Sequence, residues 1–160
     1  MDFKHIKAVV FDFDGVFTDN KVYVSESGQE TVQCNRFDGI GIGLLKKLNI
    51  PMKVISSEPN NVVQVRCKKL DLPVINNVSN KLYELDRFAK SFHIDLSNIA
   101  FVGNDINDEE CMKNVGFPIA VNDAVDKIKL ISKHTLSKKG GRGAVRELCE
   151  LIVNSYASKE

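Results

Sequence analysis

Short, strongly apolar runs alternate with longer amphipathic stretches along most of the chain. KAVVFDF (7–13), MKVISS (52–57), IAFVGND (99–105) and PIAV (118–121) have the length and composition of buried strands, and PVINNV (73–78) is a fifth. Between them GIGLLKKLN (41–49), NNVVQVRCKKLDL (60–72), NKLYELDRFAKSFHI (80–94) and DEECMKNVG (108–116) carry helical spacing. Gly116, with Pro118 just beyond, reads as the stop of the last of these helices. Apolar strands alternating with helices predict an α/β protein with a doubly wound parallel sheet and helices on both faces. One segment departs from the alternation. KVYVSESGQETVQCN (21–35) has β-type composition around a Glu-Ser-Gly turn and reads as a β-hairpin. A final helix is expected over about residues 143–154, after the glycine-rich KKGGRG (138–143).

Length narrows this picture to a single domain over residues 1–160, large enough for one sizeable core. A net charge of +1 gives no electrostatic case for nucleic acid or a membrane surface as partner. No run approaches the roughly 18 apolar residues of a membrane span, and no signal-peptide pattern opens the chain. Cys34, Cys67, Cys111 and Cys149 form no CxxC pair and read as free thiols, so a reducing, cytoplasmic location is expected. His5, His93 and His134 are scattered without ligand spacing.

In parallel α/β sheets ligands sit beyond the carboxyl ends of the strands, which directs attention to Asp12, Asp14, Ser56, Asn104 and Asp105. Lys81 opens the helix after the PVINNV run. Taken singly these residues are unremarkable: DFDG suits an Asx-type turn, Ser56 a polar strand end, Lys81 a solvated helix. Taken together they suit one phosphate and one cation. Mg²⁺ takes oxygen ligands, usually one or two carboxylates with water and a substrate phosphate. A carboxylate beside such a cation can attack phosphorus, and a second two residues away can protonate the leaving alcohol and then activate water.

D-x-D-G-V-F-T at 12–18, Ser56 after KVIS, Lys81, and GNDINDEE at 103–110 resemble the four motifs of the haloacid dehalogenase superfamily. The resemblance implies Asp12 as nucleophile, Asp14 as general acid and base, and Ser56 and Lys81 as holders of the phosphate. It also implies a Mg²⁺ site formed by Asp12, Asp14, Asn104 and Asp105. NRFDGIGIGLLKKLNIP and GGRGAVRELCELI extend the likeness over nearly the whole chain. They are similar to the small phosphatases of phosphorylated 3-deoxy-ulosonic acids, which include the octulosonate 8-phosphate and acylneuraminate 9-phosphate enzymes. That branch implies a Rossmann-like sheet without a cap domain and with a protruding hairpin. The spacing agrees, since about 40 residues between Asp14 and Ser56 hold only a hairpin and a helix. It further implies a homotetramer assembled through the hairpins, a neighbour's surface and C-terminal segment covering the open site, and association with an acylneuraminate cytidylyltransferase. Arg142, in KKGGRG, becomes a candidate contact to a substrate carboxylate or phosphate, although a plain helix-entry loop explains it equally well.

Two positions bear on substrate and activity. The octulosonate branch usually carries Thr-Gly-Arg where this chain has Ser56-Ser57-Glu58. The neuraminate-like branch carries a Glu there, then an Arg and a Lys on the next helix, and Glu58, Arg66 and Lys69 match. Residues 66 and 69 share a helix face, so the trio reads either as a sugar-acid subsite or as a surface charge cluster. The expected function is Mg²⁺-dependent removal of phosphate from a nine-carbon ulosonic acid, with the eight-carbon acid as the alternative substrate. Asn104 is the departure, because the resembled members commonly show Gly-Asp-Asp there. Either Asp105 or Asp108 compensates for the neutral amide, or the chain is a weakly active or non-catalytic oligomerising module.

Overall fold

The computed structural model describes residues 2–157. Six parallel strands form one sheet: β1 (Ala8–Phe11), β4 (Met52–Ile55), β5 (Val74–Ile75), β6 (Ile99–Gly103), β7 (Phe117–Ala120) and β8 (His134–Thr135). Their order is β5-β4-β1-β6-β7-β8. Every side chain of β1 and β6 is buried, which is why both read as continuous apolar runs rather than alternating ones. The chain grows outward from β1 to β5 and then crosses back to the other side of β1. The reversal opens a crevice beyond the carboxyl ends of β1 and β6.

Right-handed crossovers place α1 (Arg36–Lys47), α2 (Val62–Lys69) and α6 (Ala144–Ala157) on one face, with α1 packed against α6. The other face carries α3 (Lys81–Ser91), α4 (Glu109–Asn114) and α5 (Asp126–Ile131), packed in succession. The doubly wound, Rossmann-like α/β sheet expected from the alternation is therefore present. Between β1 and α1 there is only a short antiparallel hairpin, β2 (Tyr23–Val24) and β3 (Glu30–Thr31), where a cap domain would otherwise stand. No helix among the described residues is long and apolar enough to cross a membrane.

Several boundaries differ from the sequence pattern for identifiable reasons. α1 starts at Arg36, five residues before the expected helix, and runs straight through Gly39, Gly41 and Gly43. Gly41 is there because α6 lies against it: a methyl group at that position would stand 3.0 Å from the Arg146 Cα. Close packing overrides the low helix propensity of glycine. The helix is capped by Asn35, whose side chain accepts from Phe37 N at 2.9 Å. Two elements were missed because each is short: α5, six residues long, and β8, two residues at the sheet edge. The hairpin is smaller than its 21–35 span, with two exposed residues per strand. The final helix begins at Ala144 as expected and extends to Ala157.

Candidate active site

The loop after β1 is fixed from below by aromatic packing. Phe13, Val16 and Phe17 are fully buried, with Phe17 stacked on Phe13 and edge-on to Phe11. Gly15, at φ +79°, makes the turn, and its N–H donates to Thr18 Oγ1 at 3.1 Å. Asp12 and Asp14 therefore leave the sheet on a rigid loop and both line a cavity of about 500 Å³. Ser56, at the end of β4, and Asn104, at the end of β6, line the same cavity, as do Glu58 and Asp105. The hairpin side supplies Lys21, Val22, Glu30 and Val32.

Lys81 lies behind the cavity, under its floor. Its Nζ donates to Asp12 Oδ1 at 2.7 Å and to Asp108 Oδ1 at 2.8 Å, and all three groups are almost wholly buried. α3 delivers it there because Asn80 caps the helix one residue earlier, accepting from Tyr83 N at 2.9 Å. Burial favours neutral lysine, but the Asp12 and Asp108 carboxylates outweigh it and hold the Lys81 ammonium above its usual range. Burial, then the Asp108 carboxylate, push the Asp12 carboxyl up to about 7, against the pull of Lys81. A cation at the other Asp12 oxygen works in the same sense as Lys81, toward the ionised form. Asp14 is also raised, chiefly by burial and then by Glu58, so it holds its proton more readily than an ordinary aspartate.

Asp108 is the acid that sequence reasoning weighed least at this site. It is fully buried, and its Oδ2 accepts from Asn104 N at 2.9 Å and Asp105 N at 3.4 Å, tying the loop after β6 to Lys81. Its signal was its place four residues after Asn104, at the turn into α4. Asp105, the other candidate for the cation, lines the cavity and also caps the following turn, accepting from Ile106 N at 2.7 Å.

The Asn104 amide nitrogen donates to the Asp14 carbonyl at 3.0 Å and to Asp12 Oδ2 at 3.2 Å. With the amide turned over, its oxygen would join those two. Since Lys81 occupies Asp12 Oδ1, Oδ2 is the oxygen left for chemistry. A carboxylate, a backbone carbonyl and an amide oxygen are a donor set for a hard cation such as Mg²⁺. Among the described residues no group of three or more His, Cys, Asp or Glu is placed to hold a metal ion.

Other expected site residues lie elsewhere. Arg66 does not line the cavity; its Nη2 donates to Asn35 O at 3.0 Å, and its Nε is buried without a partner. Lys69 is exposed on α2, beyond the cavity wall. Arg142 faces Asp19 at 3.8 Å and does not line the cavity. Glu58 alone of that group is in place, its carboxylate accepting from Asn60 N at 2.9 Å. The KKGGRG segment packs on this chain's own loop: Gly141 N donates to Val16 O at 3.0 Å.

A family model for haloacid dehalogenase-like hydrolases matches residues 46–148. The 3-deoxy-D-manno-octulosonate 8-phosphate phosphatase of Salmonella typhi is 32% identical over 151 residues, 94% of this chain and 80% of that protein. The corresponding phosphatase of Moraxella catarrhalis, solved with a magnesium ion, a phosphate ion and a KDO molecule, superposes with a TM-score of 0.91 at 33% identity, covering 96% of this chain and 89% of that one. The Yersinia pestis phosphatase superposes at 0.94 with 29% identity, over 98% and 85% of the two chains. On these matches the chain belongs to the haloacid dehalogenase-like hydrolases and is a phosphatase of the capless ulosonic-acid branch.

Proposed function

We propose that the chain hydrolyses the phosphomonoester of a phosphorylated 3-deoxy-ulosonic acid with Mg²⁺ as cofactor. One oxygen of the Asp12 carboxylate attacks phosphorus and forms an aspartyl-phosphate as the bond to the sugar oxygen breaks, while Lys81 Nζ at Oδ1 fixes the carboxylate plane. Asp14 gives its proton to the departing sugar oxygen, then takes one from the water that hydrolyses the aspartyl-phosphate. Ser56 Oγ already accepts from Glu58 N at 3.1 Å, which leaves its O–H free to donate to a phosphoryl oxygen. Asp12, the Asp14 carbonyl and the Asn104 amide oxygen would hold Mg²⁺, which would supply charge neutralisation on the transferring phosphoryl group. The observation that carries this reading is the split between the two carboxyls: Asp12 locked at one oxygen by Lys81, Asp14 on the cavity wall and raised toward its protonated form.

The eight-carbon octulosonate 8-phosphate is the substrate favoured by the named relatives. Glu58 on the cavity wall favours a nine-carbon acylneuraminate-type acid as the second reading, because its carboxylate can accept from additional sugar hydroxyls. Exposed Val22, Tyr23 and Val24 support burial of the hairpin in a homotetramer. Phosphate release from matched eight- and nine-carbon phosphates, with Mg²⁺ titrated, tests the reading. Higher kcat/KM on the eight-carbon acid is expected; no Mg²⁺-dependent release from either would refute it, as would full turnover by Asp12→Asn.

A further inference from the structure

We propose that Gly140 is a positioning residue for the reaction: by lacking a side chain it seats the 138–143 segment against Gly15 and so sets where the oxygens of Asp12, Asp14 and Asn104 converge. The inference rests on the phosphatase reading above. Gly15, the residue directly after Asp14, is a single layer between the cavity and this segment. On the cavity side, a methyl group added to Gly15 would lie 2.0 Å from Asn104 Nδ2 and 2.5 Å from its Cγ. On the opposite side, a methyl group added to Gly140 would lie 1.8 Å from Gly15 O and 2.5 Å from its carbonyl carbon. Both obstacles behind Gly15 are backbone atoms, which cannot rotate aside as the end of a side chain can.

The segment has little room to retreat. Gly140 N donates to Asp123 Oδ1 at 2.9 Å, and Ser137 N and Lys138 N each donate to one oxygen of the Glu147 carboxylate at 2.8 Å. Asn35 Nδ2 donates to Gly141 O at 3.3 Å. The start of α6 is held in turn by Asp38, whose Oδ1 accepts from Arg146 N at 3.3 Å. A methyl group at Gly140 is therefore accommodated forward, by shifting Gly15 toward Asn104. Gly140 does not have the left-handed backbone that Gly15 and Gly141 have, so alanine is barred there by the contact alone.

A glycine needed only for folding would cost stability while leaving the folded protein's cation affinity unchanged. The test compares Mg²⁺ binding by titration calorimetry, and kcat and KM for octulosonate 8-phosphate at saturating Mg²⁺, in wild type and Gly140→Ala. Gly140→Ala is expected to weaken Mg²⁺ binding about tenfold and to lower kcat about 10²-fold, with KM within about threefold of wild type. Gly43→Ala, where an added methyl group meets nothing within 4 Å, is expected to change neither. Wild-type Mg²⁺ affinity and kcat in folded Gly140→Ala would overturn the proposal. If circular dichroism shows that Gly140→Ala does not fold, Glu147→Ala decides instead. By freeing the segment it is expected to weaken Mg²⁺ binding severalfold with the fold intact, and no change would be the overturning result. A wild-type protein that binds no Mg²⁺ would refute the phosphatase reading itself, a different outcome from a variant that matches a Mg²⁺-binding wild type.

Discussion

The two sides of the cavity are built from different material. On the sheet side, Asp12, Ser56, Lys81, Asn104 and Asp108 are each less than a tenth exposed and are aimed by strand register, helix caps and paired hydrogen bonds. On the outer side, the hairpin and the loop between β4 and α2 contribute Lys21, Glu30 and Glu58, none of them buried. In the proposed reaction, the groups assigned to the phosphoryl group and its supports sit where backbone and burial leave them little freedom. Those that would face the sugar sit on more exposed elements. Chemistry and recognition are thereby assigned to regions of different rigidity.

The most severe way to break this contrast is to remove Lys81, because it holds two buried carboxylates at once. Lys81→Met keeps the volume but leaves the buried Asp12 and Asp108 carboxylates without their shared cation. A loss of about 3–5 kcal/mol is expected from urea denaturation at neutral pH, the scale for a buried charge stripped of its partner. Protonation of one carboxyl would relieve part of it, so the loss should shrink in mild acid. A change below about 1 kcal/mol would mean that the rigid side does not depend on the triad.

Asn104→Asp sharpens the contrast from the cation's side. Without a cation, the wild-type amide can turn and donate to Asp12 Oδ2 and the Asp14 carbonyl; a carboxylate cannot. The variant is expected to be less stable without Mg²⁺ and to bind it about tenfold more tightly, since ligand charge tunes such sites. Melting temperature against Mg²⁺ concentration reads both effects, and identical curves for the two proteins would exclude Asn104 from the site.

The same rigidity explains what was legible in the sequence. Buried strands announce themselves as apolar runs, and a polar residue at their carboxyl end has few reasons to be there, so Asp12, Ser56 and Asn104 could be picked out by position. Lys81 was found as well, but that it also braces Asp12 and Asp108 beneath the cavity is visible only in the structure. Asp105 and Asp108 carry the same charge three residues apart, and only the geometry of the turn shows which one is buried. Arg66 and Lys69 share a helix face, yet periodicity cannot say whether that face looks into the cavity of its own chain. The glycine pair at 140–141 showed as a break in the helical pattern; that it presses on the loop carrying Asp14 is a contact across more than a hundred residues.

Asp38 tests the packing behind the rigid side. Burial pushes its carboxyl from 3.8 up to about 7, opposed by the Arg146 N–H and the Arg66 guanidinium, and its Oδ2 has no partner. Between about pH 4 and 7 the unfolded chain has released this proton while the folded chain retains it. Folding binds the proton, so stability falls as pH rises through that window. Asp38→Asn keeps an oxygen for Arg146 N and removes the titration. The decline in urea midpoint from pH 5 to pH 7 should become shallower, although Asp12 and Asp14, also raised, retain a share of it. An unchanged slope would show that Asp38 is ionised in the folded protein.

The smallest expected effect lies on the flexible side, and its size discriminates sharply. Lys69 is exposed on α2 and does not line this chain's cavity. If recognition is complete within one chain, Lys69→Ala leaves kcat/KM within about threefold of wild type on eight- and nine-carbon phosphates alike, as for an ordinary surface substitution. If a second copy lends its α2 to the open site, the loss becomes selective: larger on the nine-carbon acid, and carried by KM with kcat preserved, because a remote carboxylate contact is uniform binding. Mixing Lys69→Ala chains with Asp12→Asn chains separates the two cases. Activity on the nine-carbon acid reappears only if an intact Lys69 from one chain can serve an intact Asp12 in another, so a rise in kcat/KM on mixing would move the specificity side of this cavity onto a subunit boundary.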